Sequence, residues 1–167
     1  MRHAALFALL VLSGFVAPIS AQPLSTDALR ALSALDGVDV TVSLFPSAAA
    51  FGLDSQSVMR HIVQRLDAAG IRYFGREQPV RQGIALLEVQ ITGRSEPHNA
   101  LLYMVATSVV EPVLLVRDPG RSVVAAVWRA PPALVLAGRN TARSVLEQVE
   151  LQVNTFTRDY RAANPTR

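Results

Sequence analysis

The sequence predicts an α+β fold: a two-layer sandwich whose antiparallel meander sheet of 4-5 strands is covered on one face by two amphipathic helices. Three observations predict it. Two segments, one in the first half of the chain and one near its C-terminus, carry apolar residues at helical spacing. Between and before them, several segments alternate apolar and polar residues with the period of a strand. Turn residues follow one another closely, with no linker, repeat or low-complexity tract, so one domain over residues 22–167 is expected, its ordered core at about 38–163.

The chain opens with Met1, Arg2 and His3, continues almost wholly apolar through residues 4–16, and then reads Ala17-Pro18-Ile19-Ser20-Ala21. A charged start, an apolar stretch and a small-residue cleavage site, in that order, predict a secretory signal peptide over residues 1–21. The apolar run is shorter than the about 20 residues that a bilayer crossing takes. Export to the periplasm or the medium is expected, and no membrane-spanning segment after cleavage.

Residues 24–35 form a short helical prospect: Ser25, Thr26 and Asp27 can cap it, and Leu29, Leu32 and Leu35 share a stripe. Residues 38–45 alternate, with Val38, Val40, Val42 and Leu44 on one side. The helix at 54–69 is the most plainly written element. Asp54 suits its N-cap; Val58, Met59, Ile62, Val63 and Leu66 make its stripe; Gly70 suits the left-handed position after it, where Ile71 can close on Leu66.

Residues 71–74 read as a short strand and 75–82 as a polar loop. Residues 83–94 alternate again, with Ala85, Leu87, Val89 and Ile91 inward. After a turn at 95–99, residues 100–117 read as a long strand. Its inner face is expected to hold Leu102, Met104, Ala106, Val110, Leu114 and Val116, with Ser108 among them; its outer face, Tyr103, Val105, Thr107, Val109, Glu111, Val113, Leu115 and Arg117. Pro112 predicts a bulge or an edge nearby. Asp118-Pro119-Gly120 predicts the hairpin turn and 121–128 the returning strand. Pro131-Pro132 ends that strand, and residues 133–138 form a link of no evident type. Asn140 can cap the last helix, whose stripe runs Ala142, Val145, Leu146, Val149, Val153, Phe156, Tyr160 and stops before Asn164-Pro165.

Composition excludes several chemistries. There is no cysteine, so thiol catalysis, iron–sulfur clusters and cysteine zinc sites are excluded, as is a lipid on a cysteine at the cleavage site. All 16 basic residues are arginine, so Schiff-base, Ser–Lys and P-loop lysine mechanisms are excluded too. A formal net charge of +3 is too small for a dedicated polyanion partner, and no nucleic acid is expected.

No motif assembles an active site. His61 lies on the polar side of the first long helix, and His98 sits in a turn beside Glu96; two residues make a poor metal site. Glu88 and Glu111 fall on the less apolar strand faces, where they either approach each other or pair with Arg94 and Arg117. No catalytic residue, metal or cofactor is therefore expected. Trp128 is expected in the core. Arg72, Arg76 and Arg81 flank Tyr73, a grouping that can hold an anionic headgroup, a glycan or a partner carboxylate. Val105, Val109, Val113 and Leu115 make the expected outer sheet face apolar enough for a partner or a homodimer.

Three further signatures occur in order: residues 66–71 (LDAAGI), 111–117 (EPVLLVR) and 156–160 (FTRDY) with Ala163-Asn164-Pro165. Together they resemble a group of small exported bacterial α+β proteins of unknown function, over about residues 38–165. The resemblance implies the architecture and carries no activity. The expected function is that of an exported, non-enzymatic module that binds an envelope protein, glycan or lipid. The alternatives are a carrier holding an apolar ligand between sheet and helices, and, behind it, a hydrolase using Glu88, Glu111 or His98.

Overall fold

The computed structural model describes residues 26–33, 35–75, 83–138 and 140–165. The predicted signal peptide lies outside them. The described elements run α1 (Thr26–Leu32), β1 (Gly37–Leu44), α2 (Ser55–Ala68), β2 (Ile84–Glu96), β3 (Ala100–Leu115), β4 (Asp118–Arg129), β5 (Ala133–Ala137) and α3 (Thr141–Ala163). They form an α+β sandwich: a mixed five-stranded sheet with three helices against it.

The strand order is β1-β2-β3-β4, and β5 pairs with β3. β2, β3 and β4 make the expected antiparallel meander, but β1 and β2 are parallel. The reason is α2, which carries the chain back across the sheet between them; a parallel pair requires such a crossover. Residues 71–74 are not the strand that follows the helix. They touch β1 through a single bridge, Val38 to Tyr73.

α2 shows the features that its sequence predicts. The Asp54 carboxylate accepts the Ser57 N–H at 2.8 Å, and the Ser57 hydroxyl and N–H together lower its pKa. Gly70 has φ 72°, and the Ile71 N–H returns to the Leu66 carbonyl at 2.9 Å. Val58, Ile62 and Leu66 are fully buried. α3 buries Val145, Val149, Val153, Phe156 and Tyr160. Asn140 starts α3 with a left-handed backbone and makes no side-chain cap; Thr141 instead donates its hydroxyl to the Gly138 carbonyl.

The faces of β3 are the reverse of the expected ones. Leu101, Tyr103, Val105 and Val109 are at most 1% exposed in the core, while Met104 is 37% exposed on the other side. The register explains the inversion. Pairs such as Glu88↔Ser108 and Gln90↔Ala106 join even positions, so odd β3 residues share a face with Ala85, Leu87, Val89 and Ile91. The hairpin turn also moves. Leu115 pairs with Asp118 across Val116 and Arg117, and Asp118-Pro119-Gly120 already belongs to β4.

β4 and β5 occupy one edge of β3 in succession. Arg129 pairs with Ser108, Ala130 donates its N–H to the Thr107 carbonyl at 2.9 Å, and Ala133 resumes opposite Val105. Between them Pro131 and Pro132 have no N–H to give the ladder. Gln152 of α3 supplies a donor there: its Nε2 gives hydrogen bonds to the Val105 carbonyl at 2.7 Å and to the Pro131 carbonyl at 3.2 Å.

The C-terminal part of α3 fastens the helical layer. Trp128 stands edge-on to Phe156 at 5.4 Å and donates its indole N–H to Asp159 at 3.1 Å. Arg158 donates to the other Asp159 oxygen at 2.9 Å. Tyr160 donates its hydroxyl to the Leu35 carbonyl, Asn164 its amide to the Leu32 carbonyl, and Arg161 two N–H groups to the Ala69 carbonyl. The FTRDY and Asn164 signature, with Arg161 between them, thus tethers α3 to β4, to α1 and the residues after it, and to the end of α2.

Candidate functional site

The predicted site residues separate. Val105 and Val109 are fully buried beneath the helices and cannot meet a partner. Val113 and Leu115 are half-buried toward the tip of the β3–β4 hairpin. Arg72 is exposed, donates to the Asp36 carbonyl at 3.2 Å and lies over the Phe74 ring at 5.7 Å. Tyr73 is half-buried beside β1. Arg76 and Arg81 lie outside the described residues.

The acid–base candidates separate as well. Glu88 shares its face with Ser108 and Gln90, whereas alternation along β3 puts Glu111 on the opposite face. Burial raises the Glu111 pKa. His98 is exposed with φ 62° in the β2–β3 turn, and Glu96 is engaged by Arg94 at 2.6 Å. His61 is half-buried between α2 and α3, its Nε2 3.5 Å from Glu150, which also pairs with Arg65. Among the described residues, no three His, Asp or Glu side chains stand close enough together to hold a metal ion. None of their helices is long and apolar enough to cross a membrane.

What the fold does bring together is the sheet face away from the helices. Its β1 and β2 part is polar, with Asp39, Thr41, Glu88, Gln90 and Thr92. Its β3, β4 and β5 part is apolar. Met104 pairs with Leu134, and Leu102 with Leu136; Leu134 is 69% and Leu136 66% exposed. Val124 and Leu114 are also exposed on this side, farther along the hairpin. Single exposed leucines are ordinary, but a contiguous row is not.

A groove of about 500 Å3 crosses this face. Small residues, Ala106, Ser108 and Ala126, line it, with Glu88 from β2 and Arg129 from β4 contributing opposite charges. A second groove of about 440 Å3 lies outside β1, lined by Val40 and Val42, by Met59 and Arg60 of α2, and by Tyr73. The layer between sheet and helices is filled by large side chains, Tyr103, Leu87, Ile62 and Phe156 among them. Tyr103 uses its hydroxyl there, 2.8 Å from Ser144, and burial raises its pKa.

Leu134 and Leu136 escape the sequence reading because two prolines precede them. Their alternation with Val135 and Ala137 is the available signal for a short strand. Met104 is missed with the inverted faces of β3. No protein-family model matches the chain, and no curated protein matches it.

Proposed function

We propose that this chain is an exported, non-enzymatic binding module, and that the open face of its sheet docks an envelope protein or other envelope component. The carrying observation is the row Leu102, Met104, Leu134 and Leu136, which no described helix covers; Val124 and Leu114 are exposed on the same side beyond the groove. Burying apolar side chains of this size releases about 25 cal/mol per Å2, so such a row is a strong docking surface and a poor solvent surface. Export is supported by the pattern of residues 1–21, and the resemblance to small exported bacterial proteins supports the same reading.

Site-specific photocrosslinking in intact cells tests it. A crosslinker at Leu136 is expected to capture a defined neighbour, and one at the exposed Leu151 of α3 is not. Equal capture from both positions, or none from Leu136, overturns the docking face. The mass of the protein recovered from cells tests export: a chain beginning at Gln22 is expected, and retention of Met1 overturns it.

A further inference from the structure

The end of the β3–β4 hairpin stands apart from the rest of the sheet. The last pair between β2 and β3 is Leu86↔Val110; from Glu111 onward, among the described residues, β3 pairs with β4 alone. The loop at the end consists of Val116 and Arg117, between the paired Leu115 and Asp118. Loops of this length ordinarily take Asn, Asp or Gly, whose backbones suit the turn. Val116 is instead β-branched, apolar and 99% exposed. It serves neither the turn nor the core, and a local preference broken without gain to the fold marks a position held for contact.

The surroundings of Val116 have a definite chemistry. Leu114 is exposed just before it, and Pro119 just after the loop. The charges over residues 112–128 are Arg117, Asp118 and Arg121, so positive charge is in excess. All three side chains are exposed, and among the described residues none of them makes an ion pair. An apolar tip and two uncommitted guanidiniums thus occupy the same end of the molecule.

We propose that this tip inserts Val116 and Leu114 into the surface of a lipid bilayer with anionic headgroups, whose phosphates Arg117 and Arg121 hold. At about 3.4 Å per residue, the two apolar side chains lie within about 7 Å of each other along the arm. That matches the depth of about 5–10 Å to which an interfacial apolar surface sinks. Each guanidinium meets a phosphate through paired N–H donors, its aliphatic stem laid along the apolar surface. A convex tip has no walls of its own; fluid acyl chains close around it, where a rigid partner needs a matching pocket. The tip is separate from the row of Leu102, Met104, Leu134 and Leu136, so each proposal can fail alone.

The chain has no cysteine, so Val116→Cys takes a single polarity-sensitive dye. With vesicles of equal parts phosphatidylglycerol and phosphatidylcholine, the dye is expected to brighten and shift to shorter wavelength. On Leu151→Cys, at an exposed position of α3, it is expected to stay unchanged. Co-sedimentation of the unlabelled protein with the same vesicles is expected to weaken as salt rises. Arg117→Gln with Arg121→Gln is expected to weaken it about thirtyfold, at about fivefold for each arginine near an anionic surface. Val116→Asn suits the turn and leaves the fold standing, and it is expected to weaken binding about tenfold. Leu134→Ser with Leu136→Ser is expected to leave vesicle binding unchanged. The proposal is overturned by no binding, by equal binding to phosphatidylcholine alone, by an equal dye response at both positions, by unchanged binding in both hairpin variants, or by loss of binding with the open-face pair. Capture of one protein by a photocrosslinker at Val116 in intact cells, without vesicle binding, overturns it in favour of a protein partner.

Discussion

On one side of β3, Tyr103, Val105 and Val109 are at most 1% exposed beneath α3; on the other, Met104 is 37% exposed and its cross-strand neighbour Leu134 69%. Both sides are apolar, so hydrophobicity within β3 does not decide which one is covered. The neighbours decide. Asp39, Thr41, Glu88 and Gln90 occupy the open side of β1 and β2 and keep the helices off it. The helical stripes then settle on the only side that is apolar from β1 to β5. A sheet face is chosen collectively, and the apolar residues left on the losing side become surface.

Substitutions that treat the two sides alike should give opposite results. The largest effect is expected from Phe156→Ala, which hollows the covered side under Trp128 and Tyr160: a loss of about 3–5 kcal/mol in urea unfolding. A loss below about 1 kcal/mol would mean that this layer is loosely packed. Asp159→Ala removes the acceptor shared by the Trp128 indole and Arg158; about 2 kcal/mol is expected, with a changed near-ultraviolet tryptophan signal. Gln152→Leu leaves the Val105 carbonyl without its donor at the proline break, for about 1–2 kcal/mol and faster amide exchange in β5.

Smaller effects sharpen the contrast. The Glu111 carboxyl titrates above its usual value because burial disfavours its charge. The folded state therefore holds that proton more tightly than the unfolded chain, and stability falls as pH rises through the carboxylate range. Glu111→Gln should raise stability above that range by no more than about 0.5 kcal/mol, given solvent screening, and leave it unchanged below. The smallest change is expected from Leu134→Ser with Leu136→Ser, within about 0.5 kcal/mol in the same unfolding experiment. The pair should nonetheless abolish crosslinking from the open face. A large loss of stability would show that this side belongs to the core after all.

Much of the fold is legible in the chain. Asp54, the stripe from Val58 to Leu66, Gly70 and Ile71 agree on one helix, and its cap and closing bonds form as expected. The long stripe of α3 is equally plain. Illegible features depend on partners. The parity of β3 follows from the residues 97–99 that join it to β2, since that connection determines whether odd residues meet odd or even ones. The parallel β1–β2 pair is obscured by residues 71–74, which alternate like a strand but make one bridge before Gly75, φ 74°. The candidate docking residues were hidden for related reasons. Leu134 and Leu136 follow two prolines, and Met104 was assigned to the other face of β3.

The tethers at the end of α3 also set an order in time. Tyr160 reaches the Leu35 carbonyl and Asn164 the Leu32 carbonyl, contacts separated by 125 and 132 positions along the chain. Closing loops of that length is slow and comes late. A chain delivered from its N-terminus holds α1 without its clasp until residues 160–164 arrive. Until then, the Leu32 and Leu35 carbonyls are without the donors that α3 brings.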